Sequence, residues 1–252
     1  LRVCQEIETA LGRVRTVKDG PRTLDIDILL YGDVKLNGPD LVIPHPRMRE
    51  RDFVMRPLSE VMERPVRADF DERASSWDED PRRVRTAREI ADALFREIPL
   101  SGQETAVDLG CGTGLLTLAL APRVRRVMGV DSSTGMLKVL KDKVRAGGIG
   151  NVETRLLDLG KGGPLPTGFD LLVSSMTLHH VLDVPGLLRD IFVALRSQGR
   201  VALADLDTED GSFHSDNTGV LHFGFDRNGL IRELEAAGFL DVRAVTATRI
   251  EK

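Results

Sequence analysis

The stretch Thr105-Ala-Val-Asp-Leu-Gly-Cys-Gly-Thr-Gly114 constrains the fold more than any other. It reads as a strand running into a glycine turn and then a helix. The same alternation surrounds it along the chain. A helix is expected over 81–98, then strand 105–109, helix 114–121, strand 126–130, helix 134–146, and strands 152–157 and 169–174. Helix 185–196, strand 200–206, helix 226–237 and strand 241–248 follow. Strands separated by helices pair side by side in parallel, so the expectation is an α/β sheet with helices on both faces.

The first quarter of the chain has a different grammar. Leu1, Cys4, Ile7 and Leu11 recur at helical spacing over residues 1–13, and Gly12 ends that helix. Leu1 to Gln5 already reads as mid-helix, so the visible start is expected to be a truncation. Residues 24–31 read as a strand, because Leu24, Ile26, Ile28 and Leu30 alternate on one face. Residues 34–43 read as extended, Pro44-His45-Pro46 breaks them, and 47–61 reads as a helix. The pattern changes around residues 64–69, which gives an expected division into 1–65 and 66–252.

Composition narrows the class. The formal net charge of −4 argues against general nucleic-acid affinity, which needs a basic surface. The basic run Pro81 to Arg88 fits a solvated helix face or a docking patch. Two cysteines, Cys4 and Cys111, supply neither a disulfide framework nor a CxxC metal site, in keeping with a reducing cytoplasm. No apolar run approaches the roughly 18 residues of a membrane span. Small-molecule substrates are the expected partners.

On strand 24–31, Asp25 and Asp27 share one face, roughly 6–7 Å apart. Paired carboxylates suit Mg²⁺, and Arg13, Arg15, Arg22, Arg47 and Arg51 nearby in sequence suit phosphate oxygens. A solvated polar strand face has the same spacing. The run Gly20-Pro-Arg-Thr-Leu-Asp-Ile-Asp-Ile-Leu-Leu-Tyr-Gly-Asp33, followed by Ile43-Pro-His-Pro-Arg-Met-Arg-Glu-Arg-Asp-Phe-Val54, resembles 6-hydroxymethyl-7,8-dihydropterin pyrophosphokinase, a folate-pathway family. The resemblance covers residues 1–63 and implies part of an α+β, ferredoxin-like domain. It also implies that Asp25 and Asp27 hold Mg²⁺, that Gln5, Glu8, His45 and Arg51 contact ATP, that Arg15 and Arg22 neutralise the transferring phosphates, and that Phe53 stacks on the pterin. The family's first half has no counterpart here, so this segment is expected to lack pyrophosphokinase activity.

In the second part, the glycine turn is followed about twenty residues on by Asp131, which could accept both ribose hydroxyls of a nucleoside. A dinucleotide fingerprint would need glycine where Leu115 stands. Asp108-x-Gly110-x-Gly112-x-Gly114 instead resembles the class I S-adenosylmethionine-dependent methyltransferases. Val130-Asp131-Ser-Ser-Thr-Gly-Met136, Leu156-Leu-Asp158-Leu159, and Phe169 to His180 extend the likeness, and Phe70 to Asp80 resembles the N-terminal cap of small-molecule members. The resemblance covers 69–252 and implies a Rossmann-like sheet. It also implies a cofactor site of Asp108, Gly110, Cys111, Gly112, Gly114, Asp131, Ser132, Met136, Asp158, Leu159 and Ser174. The family has one more strand beyond the point where this chain stops.

Methyl transfer from a sulfonium needs alignment and dryness, and a base only where the nucleophile loses a proton. His179 and His180 at the exit of the fourth strand are candidates, as are His214 and His222 in the long loop 207–225; each also reads as a hydrogen-bonded structural histidine. Asp205 and Asp207 could face the same pocket. Three functions fit: a small-molecule methyltransferase, a bifunctional folate-pathway enzyme, or a non-catalytic module that binds the cofactor.

Overall fold

A computed structural model describes residues 2–13, 25–31, 35–39, 41–48, 51–61, 70–159, 163–213 and 216–250. The chain forms two compact units, 1–62 and 63–252. Residues 62–69, where the sequence pattern changes, lie outside the described segments.

In the first unit, α1 spans Arg2–Ala10 and ends at Gly12, whose φ of +85° suits glycine. The expected strand 24–31 does not form over its described residues. Tyr31 makes an isolated bridge, and the Leu29 carbonyl accepts the His45 N–H at 2.9 Å. A strand needs a continuous ladder partner, and among the described residues this stretch has none. Side-chain alternation nonetheless survives, with Asp25 and Asp27 exposed while Ile26 and Ile28 are half-buried. Residues 34–43 fold back at Gly38 and Pro39 into two short antiparallel strands, β1 (Leu36–Asn37) and β2 (Val42–Ile43). Helix α2 (Asp52–Val61) starts later than expected, because residues 46–48 close a separate turn in which the Met48 N–H reaches His45 O at 3.1 Å.

The second unit begins with α3 (Phe70–Arg73), a 3₁₀ turn over Ala74–Glu79, and α4 (Pro81–Glu97). Then come β3 (Thr105–Leu109), α5 (Leu115–Leu120), β4 (Arg126–Asp131), α6 (Thr134–Ala146), β5 (Val152–Leu156) and β6 (Phe169–Ser175). Helix α7 (Val184–Ala194), β7 (Leu195–Ala204) and α8 (Arg227–Ala237) complete it. The helix starts follow local chemistry: Asp80, Ser133, Asp183 and Asp226 each accept a first-turn backbone N–H, and Pro follows Asp80 directly. The basic run on α4 is a solvated face tied up locally, with Arg82 on Asp80, Arg85 on Glu89 and Arg83 over the Trp77 ring.

The five strands pair in parallel in the order β5-β4-β3-β6-β7. Alternate residues feed opposite faces. Ala106, Leu171 and Val173 pack with Leu94 of α4 and with Leu116 and Leu120 of α5, while Val107, Leu109 and Leu172 pack with Leu188 and Ile191 of α7. This is the Rossmann-like sheet expected.

Two expectations at its C-terminal edge fail. Strand β7 starts at Leu195 rather than 200, because a bulge lets Leu195 pair with Phe169 and Arg200 with Leu171; Gln198 turns through φ +63° to absorb the extra residues. The expected strand 241–248 does not join the sheet. Its side chains tie it to helices instead: Arg243 donates to Glu97 O, Thr248 to Glu89, and Arg227 of α8 donates to Thr246. Among the described residues no helix is long and apolar enough to cross a membrane.

Candidate functional site

The strand order reverses direction between β3 and β6, and ligands of open α/β sheets bind in the crevice at the carboxyl ends of strands at such a point. The glycine turn lies there. Gly110, Gly112 and Gly114 all have positive φ, of 73°, 54° and 86°. Their surroundings differ. A Cβ on Gly110 would collide with Thr177, and one on Gly114 with Leu140, so those two glycines allow close packing within the protein. A Cβ on Gly112 would meet nothing within 4 Å. Gly112 is where the backbone is bare toward open space.

Asp131 ends β4 beside that opening. Its Oδ2 accepts the Gly112 N–H at 2.8 Å and its Oδ1 the Ser133 N–H at 2.9 Å. Each carboxylate oxygen retains a second lone pair. Burial raises its pKa against the pull of those backbone hydrogen bonds. Asp108 takes a different place. It follows the alternation of Ala106 toward α5, is 1% exposed, and accepts the Thr117 hydroxyl at 2.6 Å. Burial pushes its pKa up to about 7.

The other cofactor candidates divide into lining and support. Ser132 is exposed, while Asp158 and Leu159 are half-buried just past β5. Met136 and Cys111 are buried, with Cys111 packed in a small cluster with Leu137 and Leu140. The Ser174 hydroxyl is buried and donates to Leu109 O at 2.7 Å, tying β6 to β3. The side chains of Asp108, Cys111, Met136 and Ser174 are thus buried, while Gly112 and Asp131 meet at the open space and Ser132 is exposed beside them in sequence.

Three of the four candidate histidines hydrogen-bond within the fold. His179 is 1% exposed, and its Nδ1 lies 2.7 Å from Asp205 Oδ1. Asp205 also accepts the N–H groups of Leu178 at 2.9 Å and Leu206 at 2.8 Å, so it pins the exits of β6 and β7 together. His180 is half-buried; its Nδ1 meets Gly219 O at 2.7 Å and its ring packs edge-on against Phe70. His222 Nε2 meets Val181 O at 2.8 Å. Asp207 pairs with Arg227 at 2.6 Å rather than facing a pocket. His214 lies outside the described residues. The loop carrying these groups folds back over the fourth-strand exit, since the N–H groups of Leu221 and His222 both reach His179 O.

In the first unit, Arg13 donates to Asp25 at 2.7 Å and Arg51 to Asp27 at 3.0 Å, with His45 Nε2 3.9 Å from Asp27. Glu8 is buried, accepts the Ile26 N–H at 2.8 Å and pairs with Arg13. This carboxylate therefore braces the aspartate-bearing segment. Gln5 is exposed on α1, and Phe53 is 74% exposed. Arg15 and Arg22 lie outside the described residues. Among the described residues no three His, Cys, Asp or Glu side chains converge as a metal cage.

Sequence reasoning missed Asp71, Asp78 and Thr113. The Thr113 hydroxyl donates to Asp78 at 2.6 Å, so the 3₁₀ turn is tied to the glycine turn. An acid in Asp71-Glu72-Arg73 carries no sequence mark that distinguishes it from a solvated one.

Comparison with known proteins agrees with this division. Residues 1–63 match the family described as 7,8-dihydro-6-hydroxymethylpterin-pyrophosphokinase, and residues 107–203 match a methyltransferase domain family. The 2-amino-4-hydroxy-6-hydroxymethyldihydropteridine pyrophosphokinase of Bacillus subtilis is 51% identical over 61 residues, 24% of this chain and 36% of that protein. An uncharacterised methyltransferase of Schizosaccharomyces pombe is 34% identical over 132 residues, 47% of this chain and 46% of that protein. The chain therefore spans less than half the length of either relative. A crystal structure of an S-adenosylmethionine-dependent methyltransferase from Mesorhizobium loti superposes with a TM-score of 0.50 at 25% identity, covering 59% of this chain and 80% of that one.

Proposed function

From a chain that carries a pterin-pyrophosphokinase segment and a methyltransferase domain, we propose that the second unit is a small-molecule methyltransferase that uses S-adenosylmethionine. The observation that carries this reading is the open space above Gly112 beside the Asp131 carboxylate, at the switch point of the sheet. The donor set suits a nucleoside without phosphates: a carboxylate for ribose hydroxyls and bare backbone for close approach. Bound there, the sulfonium supplies a methyl group already activated for transfer. The chain's own residues bind and orient. Gly112 and Asp131 hold one side, Asp158 and Leu159 border the next, and the loop 207–225 shields the crevice from water. With His179 buried against Asp205, proximity and exclusion of water are the main contributions, rather than a base at that position.

Calorimetry with S-adenosylhomocysteine tests this. Micromolar binding that Asp131→Ala weakens by an order of magnitude or more is expected, since two charge-assisted hydrogen bonds are worth about 3 kcal/mol. Undiminished affinity in that variant would remove the ribose assignment.

For the first unit, two oxygen donors at Asp25 and Asp27 fit Mg²⁺ that keeps its remaining positions for water and phosphate. Arg13 pairs with one oxygen of Asp25 and Arg51 with one oxygen of Asp27, and Phe53 stands exposed. We propose that the segment retains pyrophosphokinase residues without turnover by this chain. AMP release from ATP well above background, with the pyrophosphoryl group passing to the alcohol of added hydroxymethyldihydropterin, would overturn that statement.

A further inference from the structure

The segment 70–79 packs against α6 and the glycine turn, with Ala74 as its one buried residue. It is held by polar contacts at both ends. On one, Asp78 accepts the Thr113 hydroxyl of the glycine turn and pairs with Lys143. On the other, Asp71 Oδ1 accepts the Ser133 hydroxyl at 2.5 Å and the Gly135 N–H at 2.6 Å. Ser133 is the residue whose N–H fixes Asp131 Oδ1, so one side chain stands between Asp71 and the proposed ribose acid. Gly135 shows how close the approach is. A Cβ there would lie 2.9 Å from Asp71 O and 3.0 Å from Asp71 Cα. Gly135 is in the first turn of α6 with ordinary helical φ, so the docked backbone, not helix geometry, demands glycine. At its outer end Arg73 reaches Asp216 of the long loop at 3.3 Å, and Phe70 packs on His180.

Resting on the cofactor reading above, we propose that Asp71 is a positioning residue: it latches segment 70–79 against α6 and, through Ser133, holds Asp131 in place for the ligand. Trp77, the only tryptophan in the sequence, lies in the strap between the Arg83 guanidinium, 3.9 Å from its ring centroid, and the edge of Phe70. Its fluorescence reports the latch directly.

Three variants of the full chain test this. Asp71→Ala removes the acceptor. Asp71→Asn restores it, because both short hydrogen bonds use the single oxygen Oδ1. Gly135→Ala leaves Asp71 intact but fills its docking place, while raising intrinsic helix propensity. Acrylamide quenching of Trp77 in the free protein should rise in Asp71→Ala and Gly135→Ala and stay near wild type in Asp71→Asn. Affinity for S-adenosylhomocysteine should fall about tenfold in the first two, the loss expected when this pair of hydrogen bonds is removed, and recover in the third, whose amide oxygen still accepts both. Unchanged quenching in both disrupting variants overturns the latch. Raised quenching with unchanged affinity overturns the positioning role. Wild-type protein that fails to bind S-adenosylhomocysteine overturns the cofactor reading, and the quenching series then judges the latch alone.

Discussion

Two of the three glycines in the glycine turn, Gly110 and Gly112, should fail in opposite ways when each is given one methyl group. Gly110 and Gly112 both have left-handed backbone, so alanine at either costs about 1–2 kcal/mol from backbone sterics alone. At Gly112 there is no further clash, since nothing lies within 4 Å of the new carbon. At Gly110 the new carbon lies 2.8 Å from Thr177 Cβ and nearer still to the rest of that side chain. Thr177 sits between Leu109 and Ser175 carbonyls that its hydroxyl contacts at 3.4 and 3.1 Å, so it cannot swing away freely. Overpacking of this kind adds about 1–3 kcal/mol, giving roughly 2–5 kcal/mol for Gly110→Ala against a total domain stability near 5–15 kcal/mol. Urea unfolding followed by Trp77 emission reads the second unit selectively, because that residue is the chain's one tryptophan. Gly110→Ala should shift the midpoint strongly. Gly112→Ala should shift it only by the backbone strain of about 1–2 kcal/mol, and lose most affinity for S-adenosylhomocysteine, because its methyl occupies the space the ligand needs. Equal destabilisation by the two, or normal binding by Gly112→Ala, would refute the assignment of inner and outer glycines.

Two further outcomes follow from the buried acids. Burial lifts Asp108 from an ordinary 3.8 to about 7, so the folded protein holds that proton more tightly than the unfolded chain. Its contribution to stability therefore falls as pH rises from about 4 to 7 and is flat above, with a ceiling of about 4 kcal/mol. Asp108→Asn keeps an acceptor for Thr117 without the charge, and its stability relative to wild type should increase by a few kcal/mol between pH 4 and pH 8 in chemical denaturation; a pH-independent difference would exclude this. Asp205→Ala should destabilise by about 3–5 kcal/mol, because it removes the carboxylate that His179 Nδ1 and the backbone N–H groups of Leu178, His179 and Leu206 share. A loss under 1 kcal/mol would mean the pin between β6 and β7 is not structural.

The sequence by itself determined the parallel sheet, nearly every helix start, and the positions of the glycine turn and Asp131. These features are local: caps, periodicity and backbone freedom are written within a few residues of where they act. It also carried the pyrophosphokinase signature around Asp25 and Asp27. Tertiary structure decided what strands and side chains meet. Residues 25–31 and 241–248 alternate as strands do, yet neither forms a ladder among the described residues, because pairing depends on a partner that periodicity does not specify. Likewise Asp108, Asp131, Asp71 and Asp205 are one residue type in sequence. Only the packing turns them into a buried partner for Thr117, an acid at the crevice, a latch on Gly135 and a pin through His179, since each role is set by which donor lies within about 3 Å.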